Sequence, residues 1–97
     1  MKTHSPIHPG EVLRDDFLIP LGLSEYRVAK DIGVPPRRIN EIIKGQRSVT
    51  ADTALRLERY FGWSAEVWLN LQSHHDQQLA KESMKSTLSA ISRCPSM

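Results

Sequence analysis

The amino-acid sequence predicts an all-α domain of five helices. Apolar residues recur at three- and four-residue intervals in five segments, and no stretch shows the sustained alternation with β-branched residues that is typical of a strand. Each segment is also bounded by residues that begin or end helices. The 97 residues fit one domain. We expect it over residues 1–80, with a flexible tail over residues 81–97 that is rich in serine and lysine.

The first helix is predicted from His8 to Leu18, because Pro9 suits the first helical position and acidic residues follow it. We expect Pro20 and Gly22 to end it.

The second helix is predicted over residues 25–32, with Ser24 as its N-cap. Gly33 supplies the residue that adopts a positive φ in a tight turn. The prolines at 35 and 36 fit only the start of a third helix, which runs to Lys44 and ends at Gly45.

The fourth and fifth helices follow the N-cap candidates Thr50 and Ser64, and Gly62 separates them. The fourth carries the helical spacing of Ala54, Leu57 and Phe61. The fifth carries Trp68, Leu71, His75 and Leu79 along one side. The tail beyond Ala80 holds a weak apolar stripe that could order on a partner, formed by Met84, Leu88 and Ile91.

The segment from about Ser24 to Lys44 has the spacing of a helix-turn-helix, in which two short helices meet at a tight glycine turn. Ala29 lies four residues before Gly33, where a small side chain lets the two helices cross closely. The apolar interior of the unit is formed by Val28, Ile32, Val34, Ile39 and Ile42. The second helix of such a unit enters the major groove of DNA.

The outward face of the third helix carries groups that read bases. Its isoleucines lie within about 100° of arc and face the core, which leaves a polar stripe opposite. Arginine bonds guanine bidentately, asparagine does the same with adenine, and lysine reaches guanine or phosphate. The loop after Gly45 and the start of the second helix are placed to bond phosphates. The predicted DNA-binding residues are Ser24, Pro36, Arg37, Arg38, Asn40, Glu41, Lys44, Arg47 and Ser48.

Two roles remain open for Glu41: it could accept from cytosine N4, or it could pair with Arg37 one helical turn earlier and orient that guanidinium. The charge count fits an anionic partner, since there are eight Lys or Arg and five acidic residues between Ser24 and Arg59, although so small a surplus is also common on solvated helix faces. A polar stripe alone is more typical of a solvated helix face than of a DNA-binding one. Its combination with the Ala29 and Gly33 spacing favours DNA.

Other chemistries find little support in the sequence. Cys94 is the single cysteine, which excludes an internal disulfide and fits a cytoplasmic protein. No apolar run is long enough for a membrane span. His74 and His75 lack a third ligand at helical spacing, and we place His4 and His8 in a flexible start, so we expect no metal and no cofactor. No phosphate loop or catalytic triad pattern is present, and we expect no enzyme.

The combined motifs resemble the HigA-type, or VapI-type, antitoxins of bacterial toxin-antitoxin modules, which have a lambda-repressor-like fold. The resemblance covers about residues 8 to 80. It rests on HPGEVLR at 8–14, PLGLS at 20–24, RINEIIKG at 38–45, TADTALRL at 50–57, YFG at 60–62 and WLNLQ at 68–72.

This resemblance implies a homodimer that binds a palindromic operator in its own promoter and neutralises a HigB-type, mRNA-cleaving toxin. Dimers read half-sites about 34 Å apart. Candidate seam residues are Trp68, Leu71 and Leu79, although they could instead close the monomer core. Two alternatives stay open: a stand-alone transcriptional regulator without a toxin, and a toxin-capturing module with secondary DNA binding. The basic outward face favours DNA binding as a main function.

Overall fold

The computed structural model describes residues 6–95, which form helices and loops without a strand. Helix α1 covers residues 9–21 and joins Pro9–Val12, a π-helical segment Leu13–Leu18, and Ile19–Leu21. The remaining helices are α2 (Glu25–Ile32), α3 (Pro36–Ile43), α4 (Ala51–Phe61), α5 (Ala65–Ser83) and α6 (Lys85–Ser89). The predicted all-α class is confirmed. Predictions for residues 1–5, including His4, and for residues 96–97 lie outside the described residues.

Helix α1 begins at a buried histidine cap. The expectation that His8 lies in a flexible start is wrong, because His8 is buried and its Nδ1 accepts a hydrogen bond from the Gly10 N–H at 2.9 Å. The Glu11 carboxylate accepts in turn from the His8 N–H at 3.3 Å, which completes a capping box. The His8 ring lies edge-on against His75 of α5, with ring centroids 4.8 Å apart. Burial, followed by the nearby His75, lowers the pKa of His8.

Helix α1 is longer than predicted, because it ends at Leu21 and not near Leu18. Its middle, Leu13–Leu18, is π-helical, and the Ile19 N–H donates to the Arg14 carbonyl five residues earlier. Pro20 therefore lies inside the last turn, where it has no N–H to offer the helix. Gly22, with φ of 66°, ends the helix as predicted. The widened turn keeps Leu13 and Leu18 in the core.

The hydrophobic core lies between α1, the α2–α3 pair, α4 and the first half of α5. Its buried apolar residues are Leu13, Leu18, Val28, Ala29, Ile32, Val34, Ile39, Ile42, Val49, Ala54, Leu57 and Trp68. Gly10 of α1 lies directly against the α3 backbone, where an added Cβ would overlap the Ile42 carbonyl oxygen and lie 2.9 Å from the Ile43 Cα. The first turn of α1 therefore sets the position of α3.

An aromatic cluster closes one side of this core and corrects one predicted seam residue. Trp68 is fully buried, with its ring centroid 5.5 Å from that of Phe17 and 5.4 Å from that of Trp63. A side chain with no exposed surface cannot line a dimer seam, so Trp68 belongs to the monomer core. Leu71 is half-buried, and half of Leu79 is exposed.

The end of α5 projects beyond the core. We expected the helix to end near Ala80, whereas it continues to Ser83 and α6 follows, so the described tail is helical as far as Ser89. Gln72 is the last buried residue, and every side chain from residue 76 to 95 is exposed. Met84, Leu88 and Ile91 of the predicted stripe are therefore exposed, at 40 %, 44 % and 67 %. The flexibility of this tail stays a prediction.

Candidate nucleic-acid interface

The predicted helix-turn-helix is formed by α2, the turn at Gly33 and α3. The Ser24 hydroxyl accepts from the Arg27 N–H at 3.0 Å and caps α2. Gly33 has a φ of 77° and ends α2 in a Schellman motif, in which the Val34 N–H donates to the Ala29 carbonyl at 2.9 Å. Pro36 then occupies the first turn of α3, where no N–H is required.

Helix α3 buries one face and presents the other to solvent. Ile39 and Ile42 have no exposed surface, as predicted. The Arg37 side chain is 83 % exposed, and Lys44 at the end of the helix is also exposed. Arg38, Asn40 and Glu41 are half-buried because each contacts another part of the domain.

Glu41 lies between two arginines. Its Oε2 accepts from Arg37 Nε at 2.9 Å, and its Oε1 accepts from Arg47 of the following loop at 2.9 Å. These two hydrogen bonds lower the pKa of the Glu41 carboxyl. Of the two roles left open by the sequence, the structure contains the pair with Arg37 and adds Arg47, which sequence spacing did not reveal.

Arg38 points toward α4, and its guanidinium is engaged there. Its Nη1 donates to Asp52 at 2.9 Å, and Asp52 also accepts from Arg56 Nε at 2.8 Å. Arg56 Nη1 donates to the Ile32 carbonyl at 2.7 Å, at the turn between α2 and α3. These hydrogen bonds from Arg56 and Arg38 lower the pKa of Asp52. Asp52 and Arg56 of α4 therefore connect the end of α2 at Ile32 with Arg38 in α3.

Asn40 bonds a residue that sequence reasoning missed. Its Nδ2 donates to Glu25 Oε1 at 3.0 Å, which joins the outward face of α3 to the first residue of α2. The two residues are fifteen positions apart, so no helical periodicity connects them. Only the crossing of α2 over α3 places the carboxylate beside the amide.

The remaining predicted residues flank this face. Lys44, Arg47 and Ser48 lie around Gly45, which has a φ of 74° and ends α3. Ser24 is exposed at the opposite edge, at the start of α2. The face therefore presents four cationic side chains, Arg37, Arg38, Lys44 and Arg47, and three carboxylates, Glu25, Glu41 and Asp52.

Other sites are not apparent in the described part of the chain. Residues 6–95 contain no group of three or more His, Cys, Asp or Glu side chains that could hold a metal ion. None of the helices in this range is long and apolar enough to cross a membrane. The polar face of the α2–α3 unit is thus the candidate site that the sequence and the geometry share.

A tight glycine turn, a short α3 packed across α2 and a polar outward face define the class as a helix-turn-helix protein of the lambda-repressor-like fold. The helix-turn-helix family model matches residues 16–69, which include all of α2, α3 and α4. The chain belongs to this family, and within it to the HigA/VapI-type proteins. The family is a non-enzymatic class of DNA-binding proteins.

Three relatives support this assignment. Virulence-associated protein I of Dichelobacter nodosus is 54 % identical over 80 residues, which are 82 % of this chain and 74 % of that protein. The structure of Pseudomonas aeruginosa antitoxin HigA with the higBA promoter has a TM-score of 0.87 at 38 % identity, covering 93 % of this chain and 98 % of that one. Antitoxin GraA in complex with its operator has a TM-score of 0.87 at 34 % identity, covering 97 % of both chains.

Proposed function

We propose that this protein is an operator-binding repressor that inserts α3 into the major groove. The observation that carries the proposal is the outward face of α3, where Arg37 and Asn40 lie one turn apart on a helix fixed by the Gly33 turn. In this arrangement Arg37 would bond a guanine and Asn40 an adenine. A DNA target would place the work of the protein in the cytoplasm.

Phosphate contacts would come from the edges of this face. Arg47 and Ser48 lie in the loop after α3, and the Ser24 end of α2 offers backbone N–H groups to an anion. Glu41 would hold the Arg47 guanidinium beside Arg37 until a phosphate replaces the carboxylate or shares the arginine with it. The same protein surface would thus position the backbone and read the bases.

A homodimer on a palindromic operator is the second part of the proposal. One α3 contacts few base pairs, and helix-turn-helix dimers bind two half-sites. The seam would involve Leu79, which is half exposed on the part of α5 that projects from the core, and Leu71, which packs against the core and keeps some exposed surface. An isolated helical segment of this length is marginal in water, which favours a partner.

Neutralisation of a HigB-type toxin is the third part. The support is the similarity over nearly the whole chain to a protein described as antitoxin HigA. Co-expression with a HigB-type toxin should relieve the growth arrest that such a toxin causes and yield a complex of the two proteins on purification. If DNA binding is retained and no toxin is bound, the protein is a stand-alone regulator. If a toxin is bound and operator affinity is negligible, it is a toxin-capturing module.

The DNA-binding proposal is tested by comparing Arg37→Ala with Arg47→Ala. Loss of Arg37 should relax discrimination at a single base pair in each half-site by roughly tenfold to a hundredfold, because a directional contact is removed. Loss of Arg47 should weaken all sequences alike and lower the salt slope of log K by about one unit per phosphate contact. Binding is measured by fluorescence anisotropy on operator and random duplexes.

Arg93→Ala is the matched control, since it removes one exposed arginine from the tail without touching the helix-turn-helix. Its binding should equal that of the unmodified protein at matched salt. An unchanged ratio of operator to random affinity in a folded Arg37→Ala protein would reject the assigned face. Arg38 would not be a simple substitute, because Asp52 already engages it.

A further inference from the structure

We infer that Glu25 is a positioning residue for base recognition: it fixes the orientation of the Asn40 amide so that this amide presents the edge that pairs with adenine. The inference rests on the proposed function, because it names a specificity residue for the same DNA-binding face. Glu25 is the first residue of α2, and its Oε1 lies 3.0 Å from Asn40 Nδ2 on α3. Both side chains are half-buried at the crossing of the two helices.

The chemistry of this contact selects one of two amide orientations. An ionised carboxylate only accepts hydrogen bonds, whereas the asparagine amide has an accepting oxygen and a donating nitrogen. Asn40 must therefore turn Nδ2 toward Glu25, because the flipped amide would set two acceptors against each other.

The orientation leaves a complete recognition edge. The amide nitrogen has two N–H groups, of which Glu25 uses one, so the second N–H and Oδ1 stay available. Pairing with adenine requires one donor for N7 and one acceptor for the N6 amino group. Glu25 thus fixes the amide without consuming the groups that the base needs.

The partner of Glu25 is itself informative. Glu41 and Asp52 each bind two arginines and offset their charge, whereas the only side-chain hydrogen bond of Glu25 within residues 6–95 is to a neutral amide. A carboxylate at the start of α2 lies beside Ser24, where the approaching phosphate would repel it. The Glu25 carboxylate therefore lowers affinity for every DNA sequence. What it provides in return is discrimination between sequences, because it orients Asn40.

The test is a double-mutant cycle on Glu25→Ala and Asn40→Ala, with Glu25→Gln as the conservative variant. Affinity is measured for the operator and for duplexes in which each half-site base pair is replaced in turn. Glu25→Ala should lose discrimination, by fivefold or more, at the same base pair as Asn40→Ala, and it should have no further effect on discrimination once Asn40 is absent. Glu25→Gln should also lose part of this discrimination, because its amide can accept from Asn40 or donate to it and so no longer selects one orientation of the Asn40 amide.

If the Glu25–Asn40 contact only stabilises the packing of α2 on α3, the pattern of affinities is different. Thermal melting of each variant shows whether it is folded. Equal weakening on all duplexes by Glu25→Ala, or lost discrimination at another base pair, overturns the inference and leaves the proposed function intact. A folded Asn40→Ala protein with unchanged discrimination at every position overturns the Asn40 role in the proposed function and the inference together. Discrimination in Glu25→Gln equal to that of the unmodified protein also overturns the inference, because a side chain that both donates and accepts does not select one amide orientation.

Discussion

Gly10→Ala is expected to separate α1 from the recognition helix α3. The added Cβ would overlap the Ile42 carbonyl oxygen and lie 2.7 Å from the Ile42 carbonyl carbon. Carbon atoms pack at about 3.5 to 4.0 Å, so the two backbones would have to separate by about 0.8 Å or more. No rotamer change relieves this overlap, because every atom involved belongs to the backbone or is the new Cβ.

The expected magnitude follows from two opposing terms. Overpacking costs about 1 to 3 kcal/mol, and a backbone clash belongs at the upper end. Alanine in place of a helical glycine returns about 1 kcal/mol through helix propensity. The net loss of about 2 kcal/mol should lower Tm by about 8 to 16 °C in a domain of this size.

The assay combines thermal unfolding with operator binding at a temperature where the variant is folded. Gly22→Ala is the control: its φ of 66° makes alanine unfavourable, yet nothing lies within 4 Å of the new Cβ. It should lower Tm by strain alone and leave operator affinity unchanged. Gly10→Ala should reduce both Tm and operator affinity, because α3 moves. A Tm for Gly10→Ala at or above that of the unmodified protein would refute the close approach of α1 to α3.

Three further predictions concern pH, the helix turn and assembly. Burial lowers the pKa of His8 below its ordinary 6.5. As the pH falls, His8 is therefore protonated in the unfolded chain before it is protonated in the folded protein. The contribution of His8 to the free energy of unfolding should therefore be constant above about pH 6.5 and fall below it, and His8→Asn, which keeps a cap, should reduce that slope in denaturant titrations. Ala29→Leu should cost about 1 to 3 kcal/mol by overpacking, and Gly33→Val should destabilise through its φ of 77°. Unchanged melting of both would contradict the turn. Leu79→Glu should weaken self-association at least tenfold in sedimentation, whereas an unchanged dimer would exclude this part of α5 from the seam.

Local chemistry made the middle of the domain predictable from the sequence. Helices α2 and α3 begin and end where Ser24, Gly33 and Pro36 require, since N-caps, left-handed glycines and prolines act within a few residues. Ile39 and Ile42 of α3 face the core as their spacing predicts. These features depend on helical periodicity and need no knowledge of distant residues.

Contacts between distant residues could not be predicted in this way. Glu25 reaches Asn40 and Arg38 reaches Asp52 only because α2, α3 and α4 pack as they do. The cap of α1 was missed because histidine is not among the residues that ordinarily cap helices. The extension of α1 through Ile19–Leu21 was not predicted because Pro20 is typical of a residue that ends a helix.

The contacts that hold α3 in place have a consequence for the change in heat capacity when the protein binds DNA. Carboxylates from α2, α3 and α4 hold the polar side chains of this helix, and Gly10 seats its backbone against α1. Segments that fold as they bind lose heat capacity in proportion to the surface that folding buries, in addition to the contact itself. Here α3 is already ordered in the free protein. The change in heat capacity on DNA binding should therefore correspond to the contact surface alone. Binding also loses no entropy to the ordering of α3.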